Sequence, residues 1–397
     1  MSDRPRVCYA APGHTLLSTG GSVRNVLSAA EALSEWAEVT LAFRSIAEPL
    51  ASGRFRVESI EPATTGMAAR DDVAARGLNP LSHFAYMKSL RDYASRSAGS
   101  YDLVLEKGWR LSGYLSRAFA VRGVRAILIE NDARAWNEPI RTMRAVVKYL
   151  AHSAAQAVAA RCSRQVHAIA AETEQLKSAL VAERGIDPAR IHVVPLGVDH
   201  TVFRPCDMRV ARTELGTAPD AMVMLYVGGM DQYHNLSPLL EALRVRSPAG
   251  LELHFVGDGE YRARYEALAL GLPVAVRFHG QVPHRRVPVH IAAADVCLAP
   301  YHTSGFRDNE VSFSTLKIPE YMACERPVIS VPSGHIRALV TDGVTGFLFN
   351  NEAASWAAFL AHVPDRTRLA GMGRAAGPSV AHLNWRDTAR RYLEIAR

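Results

Sequence analysis

Residues 313–329 read FSTLKIPEYMACERPVI. A polar stretch from Phe313 to Thr315 runs into a short helical segment carrying Lys317 and Glu320, and Arg326-Pro327 ends it before Val328-Ile329 open a strand. This is the joint of an α/β unit. A helix start presents unpaired N–H groups to an anion, and a carboxylate on the first turn can fold back towards the same ligand. The alternation continues in both directions. Short apolar runs read as strands at Val7–Ala10, Val39–Phe43, Leu103–Glu106, Ile127–Glu130, Val166–Ala170 and His192–Val194. A second set follows at Met222–Val227, Leu253–Val256, Val276–His279, Val296–Ala299, Val328–Val331 and Gly346–Phe349. Continuous apolar strands separated by helix-length gaps imply parallel sheets covered on both faces. The expected architecture is α/β, two Rossmann-like doubly wound domains over residues 1–200 and 206–385, with the boundary in the loop Pro195–Pro205. Residues 45–80 read as irregular and polar, either an acceptor-side loop or a mobile one.

The composition narrows the function classes. The 397 residues are 48% hydrophobic, ample for two cores, and no apolar run reaches the ~18 residues of a membrane span. Met-Ser-Asp-Arg-Pro-Arg lacks the shape of a secretory signal, and five scattered cysteines (8, 162, 206, 297 and 324) have no metal-ligand spacing. A reducing cytoplasm is the expected compartment. The arginine-heavy usage points to a high-GC bacterial genome.

Net charge is +7 and uneven: residues 107–164 hold 11 basic and 3 acidic residues, a local +8. Two readings stay open, a solvated helical face and a surface that meets an anionic membrane or an acidic acceptor. Nucleic acid is not expected, because no aromatic-basic interleaving accompanies the charge. Walker A, His-Glu-x-x-His, Cys-x-x-Cys and Asp-x-Asp patterns are all missing from the chain.

The stretch 313–329 resembles the donor-sugar site of retaining family 4 glycosyltransferases, where many members read a variant of SPLKLFEYMACGRPVI. The linker VVPLGVDHTVFRP (193–205) is similar to that family's interdomain segment, and NWRDTARRYLEIAR (384–397) to its closing helix. The resemblance implies the GT-B fold, two Rossmann-like domains facing across a cleft, with a helix over 386–397 packing back on the first.

It also implies roles, residue by residue. Glu320 accepts the ribose hydroxyls of the donor nucleotide, and the backbone of Ser314, Thr315 and Leu316 faces the diphosphate. Gly20 and Gly21, between the first strand and an apolar helix, correspond to a Gly-Gly that touches the diphosphate; two glycines there also let a backbone approach a ligand closely. The loop Val227-Gly228-Gly229-Met230-Asp231-Gln232-Tyr233-His234 corresponds to one that grips phosphates with an arginine and a lysine. Those positions are Gly229 and His234 here, which leaves Lys317 as the phosphate cation. The segment Phe278–Pro283 places Val282 beside the nucleotide base. An earlier glutamate that contacts the sugar is replaced by Ser312. Either Glu310 reaches in, or backbone and hydroxyl groups hold the sugar. A glycine is usual where Glu325 stands.

In the first domain Glu130 and Asn131 close a strand, where ligands bind in open sheets, and are candidates to touch sugar or acceptor; Glu106, Lys107 and Gly108 are weaker ones. The expected activity is metal-independent hexosyl transfer. A UDP- or GDP-sugar donates to the hydroxyl of a small-molecule, lipid-linked or glycan acceptor, with retention and no cofactor. The chain is expected in the cytoplasm, with a peripheral contact at the inner membrane face as the second reading of its charge. The alternatives are a nucleotide-sugar epimerase of the same fold and a catalytically weak partner subunit.

Overall fold

The computed structural model describes residues 4–16, 21–48, 50, 53–61, 80–132, 141–304 and 306–397. Gly20 lies outside the described residues, as do all of residues 62–79. The chain divides into two compact units: residues 1–197, 312–314 and 385–397 form the first, and residues 198–311 and 315–384 the second.

The first unit is a 7-stranded parallel sheet in the order β3-β2-β1-β4-β5-β6-β7. Its strands are β1 (Arg6–Leu16), β2 (Glu38–Ile46), β3 (Arg56–Ser59), β4 (Leu103–Lys107), β5 (Arg125–Glu130), β6 (Ala168–Ala171) and β7 (Ile191–Val193). Strand β3 corrects the reading of residues 45–80 as irregular. Its single large apolar residue, Val57, gives no run to detect, and it forms because the edge of β2 offers it backbone partners from Thr40 to Phe43. The helices are α1 (Gly21–Leu33), α2 (Pro80–Ser97), α3 (Tyr114–Ala120), α4 (Met143–Ser163) and α5 (Glu174–Arg184). The closing helix Trp385–Ile395 joins this unit: Thr388 Oγ1 donates to the Pro195 carbonyl at 2.9 Å and Arg386 pairs with Glu35 at 2.8 Å.

The second unit is a 6-stranded parallel sheet in the order β10-β9-β8-β11-β12-β13. These are β8 (Met222–Val227), β9 (Leu251–Val256), β10 (Ala275–Gly280), β11 (Val296–Ala299), β12 (Val328–Ser330) and β13 (Gly346–Leu348). Its core gathers Tyr226, Leu240, Phe255, Leu298 and Trp356. Phe203, from the linker, is buried in this unit with its ring 5.1 Å from that of His284.

Both strand orders reverse direction once, between β1 and β4 and between β8 and β11. At such a switch the connections leave to opposite faces and open a crevice beyond the strand carboxyl ends, where open α/β sheets take their ligands.

Candidate active site

In the second unit, β8 delivers the chain to Gly228 at the switch. Gly228 has φ +142, and a Cβ there would lie 2.7 Å from Lys317 Nζ. Only glycine gives both this backbone and this approach. The loop is backed by the segment Gly257–Tyr261. Gly228 N–H donates to the Val256 carbonyl at 2.9 Å, Met230 N–H to Asp258 at 3.0 Å, and Tyr261 N–H to Met230 at 2.9 Å. Gly257 and Gly259 are required by the same packing, since a Cβ on either would fall within 2.3 Å of a loop carbonyl oxygen.

Lys317 opens the helix Lys317–Ala323, with Pro319 in the first turn, where a missing N–H costs nothing. Its ammonium is 3.2 Å from the Tyr226 hydroxyl, 4.4 Å from that ring's centroid and 5.6 Å from that of Tyr301. The residue keeps some exposed area, yet desolvation by these neighbours draws its pKa down to about 7, against the opposing pull of Asp231 and Glu320. Burial pushes Asp231 up, but the hydrogen bond and charge of His234, the Tyr233 N–H and Lys317 together hold it below the usual carboxylate range. His234 Nδ1 and Asp231 Oδ1 are 2.9 Å apart, and the His234 ring lies between Tyr226 and Tyr301 with centroid separations of 5.9 and 5.1 Å. Thr315 and Tyr301 share a hydroxyl–hydroxyl bond.

The second unit thus gathers Gly228, His234, Thr315 and Lys317 around Tyr226 and Tyr301. Gly229 turns towards Asp231, and its carbonyl accepts from the Tyr226 hydroxyl. Leu316 is the residue before the helix, and Glu320 lies one turn in, 15% exposed and 3.6 Å from His284 Nε2. Val282 is half-buried in the loop after β10. Glu310 is engaged elsewhere: Arg337 bonds its carboxylate at 2.8 and 2.9 Å, and the Gly334 N–H donates to it. Burial raises Glu310, and these donors hold it below the ordinary value. Among the described contacts none joins Glu310 to Lys317.

In the first unit the carboxyl ends of β4, β5 and β6 carry buried charge. Glu106 accepts from Trp109 Nε1 at 2.9 Å, Gly113 N–H at 3.1 Å and Ser116 N–H at 2.6 Å, so it ties down the turn into α3. Desolvation raises it to about 7 despite these donors. Glu130 is paired with the buried Arg184 and accepts from the Ser112 hydroxyl at 3.3 Å. Asn131 is half-buried beside it, and a Cβ on Gly108 would meet Glu130 Oε2 at 2.6 Å and Asn131 Oδ1 at 3.0 Å. Glu172, one residue past β6, takes the N–H of Ser314, so that group points to a carboxylate. Thr173 caps α5 by accepting from Leu176 N–H at 3.0 Å, and its hydroxyl donates to the Ser312 carbonyl at 2.7 Å. Gly21 begins α1.

Comparison with known proteins fits this architecture. Residues 19–202 match Glycosyltransferase Family 4, and residues 221–363 match Glycosyl transferases group 1. A D-inositol 3-phosphate glycosyltransferase of Thermomonospora curvata is 31% identical over 337 residues, which cover 77% of this chain and 73% of that protein. The namesake of Geodermatophilus obscurus is 33% identical over 312 residues, covering 72% of this chain and 65% of its own length. The chain belongs to glycosyltransferase family 4.

The family's GT-B fold is found in solved structures too. A sucrose-phosphate synthase from Thermosynechococcus elongatus superposes with a TM-score of 0.77 at 19% identity, covering 99% of this chain and 98% of that one. The Anabaena protein HepE, solved in complex with UDP-glucose, gives 0.74 at 17% identity, covering 98% and 99%.

Within this family 4 chain, sequence reading passed over Tyr226, Tyr301 and Asp231, which enclose Lys317, and His14 and Glu172 in the first unit. The two tyrosines look like strand-end core residues until the sheet order places β8 beside β11. Glu172 precedes the N-cap Thr173 and is easily taken for part of a helix start. The available signal was a carboxylate directly after an apolar strand, the same pattern that drew attention to Glu130.

Proposed function

We propose that the chain moves a sugar from a nucleotide diphosphate donor to an acceptor hydroxyl, with retention of configuration and without a metal ion. The position of Lys317 carries this reading: an ammonium seated against the β-carbon-free Gly228 at the β8/β11 switch, walled by Tyr226 and Tyr301. Desolvation keeps its proton loosely held, and a diphosphate restores the charge it lacks. Glu320, one turn on and mostly covered, supplies acceptor oxygens for ribose hydroxyls. The bond between the anomeric carbon and the diphosphate breaks with its electron pair on the phosphate oxygen, where Lys317 meets the developing charge. The acceptor oxygen bonds the same face of that carbon and gives its proton to the departing phosphate, which accounts for retention. Among the described residues no group of three or more His, Cys, Asp or Glu could hold a metal. HepE, solved with UDP and with UDP-glucose, makes UDP-glucose the first donor to try, GDP-linked sugars the second.

Calorimetry with UDP and uridine tests the assignment. Lys317→Met weakens UDP strongly and leaves uridine nearly unchanged; equal losses remove Lys317 from the phosphate site. Turnover of UDP-glucose in EDTA tests the metal clause, and interconversion of donor sugars without transfer marks an epimerase instead.

The acceptor reading includes a lipid surface. Helix α4 exposes Met143, Val147, Tyr149 and Leu150 beside Arg141, within the segment of +8 charge. Apolar side chains among basic ones suit the headgroup layer of an anionic membrane.

A further inference from the structure

The first unit has its own switch, between β1 and β4, and its chemistry differs from that of the second. His14 lies near the end of β1, Lys107 ends β4, Glu130 ends β5 and Glu172 follows β6. In the sheet order these strands are neighbours, so the four residues share one carboxyl edge. Two of the acids near it are satisfied: Glu106 by three donors, Glu130 by Arg184 and Ser112. Glu172 is not. It is 2% exposed, it receives the Ser314 N–H, and its Oε1 is buried with no hydrogen-bond partner among the described residues. His14 Nδ1 is buried and, among the described residues, equally without a partner. Buried polar atoms are nearly always paired, so two orphans at one ligand-binding edge mark a place where something polar docks.

We propose that Glu172, His14 and Lys107 form the acceptor-side subsite of this enzyme, and that it takes the hydroxyls of a neutral polyhydroxy ring. This rests on the glycosyltransferase reading. A carboxylate oxygen needs a donor, an ammonium needs an acceptor, and a neutral imidazole nitrogen serves either; a hydroxyl pair answers all three. An ionised phosphate answers the ammonium alone: it brings no hydrogen to the carboxylate, and like charge repels it from Glu172. Lys107 and Glu172 lie within each other's field and cancel: desolvation draws Lys107 down and Glu172 up to about 7, each opposed by the other. An ammonium on Lys107 and a carboxylate on Glu172 are of opposite sign, so the ionised pair adds no net charge to the edge. Desolvation and Lys107 hold His14 down to about 3, so it adds no positive charge at neutral pH. The subsite selects by hydroxyl geometry, and the Ser314 N–H bond to Glu172 fixes one side of that geometry.

Saturation-transfer NMR on the intact, UDP-loaded protein tests this, with glucose, galactose and mannose as neutral probes and glucose 6-phosphate as the charged one. At least one neutral ring receives saturation in the wild type. Glu172→Gln, which keeps the side chain's shape, weakens that ring at least ~tenfold, the effect of one charge-assisted hydrogen bond. His14→Gln, at a half-buried position, weakens the same ring. Calorimetric UDP affinity and a thermal melt report that both variants are folded. Neutral rings silent in the wild type, or unchanged in both variants, overturn the proposal. Preference for glucose 6-phosphate that strengthens in Glu172→Gln overturns it too, by making the edge an anion site. Should polyols bind while UDP does not, the donor reading fails and the hydroxyl site stands.

Discussion

Lys317 ties binding to pH in a way that can be worked out from its surroundings. In the free protein it holds its proton with a pKa of about 7, against 10.5 for an ordinary lysine, because burial outweighs the pull of Asp231 and Glu320. A diphosphate beside it reverses the balance and returns the group towards its ordinary value. UDP then binds the protonated form, and affinity falls as pH rises through 7. Between pH 7 and pH 9 the expected loss is roughly 50-fold, about 2.3 kcal/mol at 1.36 kcal/mol per unit. Proton uptake accompanies binding, roughly 0.5 per UDP at pH 7 and 0.9 at pH 8. Calorimetry in buffers of different ionisation enthalpy reads both quantities. Working above pH 7 avoids the second phosphate ionisation near pH 6. The sign for the free protein is opposite. The unfolded chain keeps this proton up to 10.5 and the folded one does not, so unfolding takes up a proton between 7 and 10.5. Over that window this group's contribution to stability rises with pH while the UDP-induced stabilisation shrinks. Lys317→Met abolishes both slopes. UDP affinity flat from pH 7 to pH 9, without proton uptake, refutes the placement of the ammonium in a dry, phosphate-facing seat.

Four further outcomes are expected. Glu320→Ala costs about 1.5–3 kcal/mol in binding of UDP and of uridine alike, since it acts on ribose; a loss confined to UDP would move Glu320 to the phosphates. Arg184→Ala strands Glu130 as an unpaired buried charge beside Glu106 and Glu172, and urea unfolding should show a loss of about 3–5 kcal/mol; a loss below ~1 kcal/mol would mean the pair is solvated. Glu325→Gly raises stability by up to ~1 kcal/mol, because Glu325 sits at φ 55 where the helix ends, with Glu325 N–H on Met322 and Arg326 N–H on Tyr321 at 2.9 and 3.1 Å; an unchanged or lower melting temperature contradicts this. Co-sedimentation with phosphatidylglycerol vesicles at low salt, lost at high salt and in Leu150→Asp, is the expected signature of α4 at a membrane; no binding at low salt rejects it.

How much of this was written plainly in the chain depends on the kind of force involved. Strands buried on both faces announce themselves as apolar runs, which is why twelve of them could be read and, among the described residues, only β3 was missed, a strand formed by backbone pairing at a sheet edge. The Gly228 loop and Lys317 were legible as separate signals, a glycine pair after a strand and a lone lysine before a glutamate. Their meeting was not, because it depends on β8 lying next to β11, and sheet order is a long-range property. Glu325 shows the reverse case. The usual glycine at that place marks a left-handed backbone, and the backbone has kept that conformation with the wrong side chain on it.

The buried polar residues of the first unit were the least legible. Glu106, Glu130 and Glu172 all stand at or just past strand ends, and pattern alone ranks them equally. Their fates are decided by partners that come from far along the chain: Arg184 for Glu130, and the Ser314 N–H, with an oxygen left over, for Glu172. Glu130, singled out as a site residue, has its carboxylate taken up by Arg184 and Ser112, while the unremarked Glu172 keeps an unsatisfied atom. Satisfaction of hydrogen bonds separates carboxylates that hold the fold from one that can hold a ligand, and it cannot be computed from spacing. Charge follows the same logic. In the second unit a lysine lies among aromatic rings with carboxylates close by; in the first, a buried lysine and glutamate oppose each other's charge. On the two proposals, one chain carries an anion seat at one sheet switch and a neutral seat at the other, the two kinds of site a nucleotide-sugar donor and a polyol acceptor require.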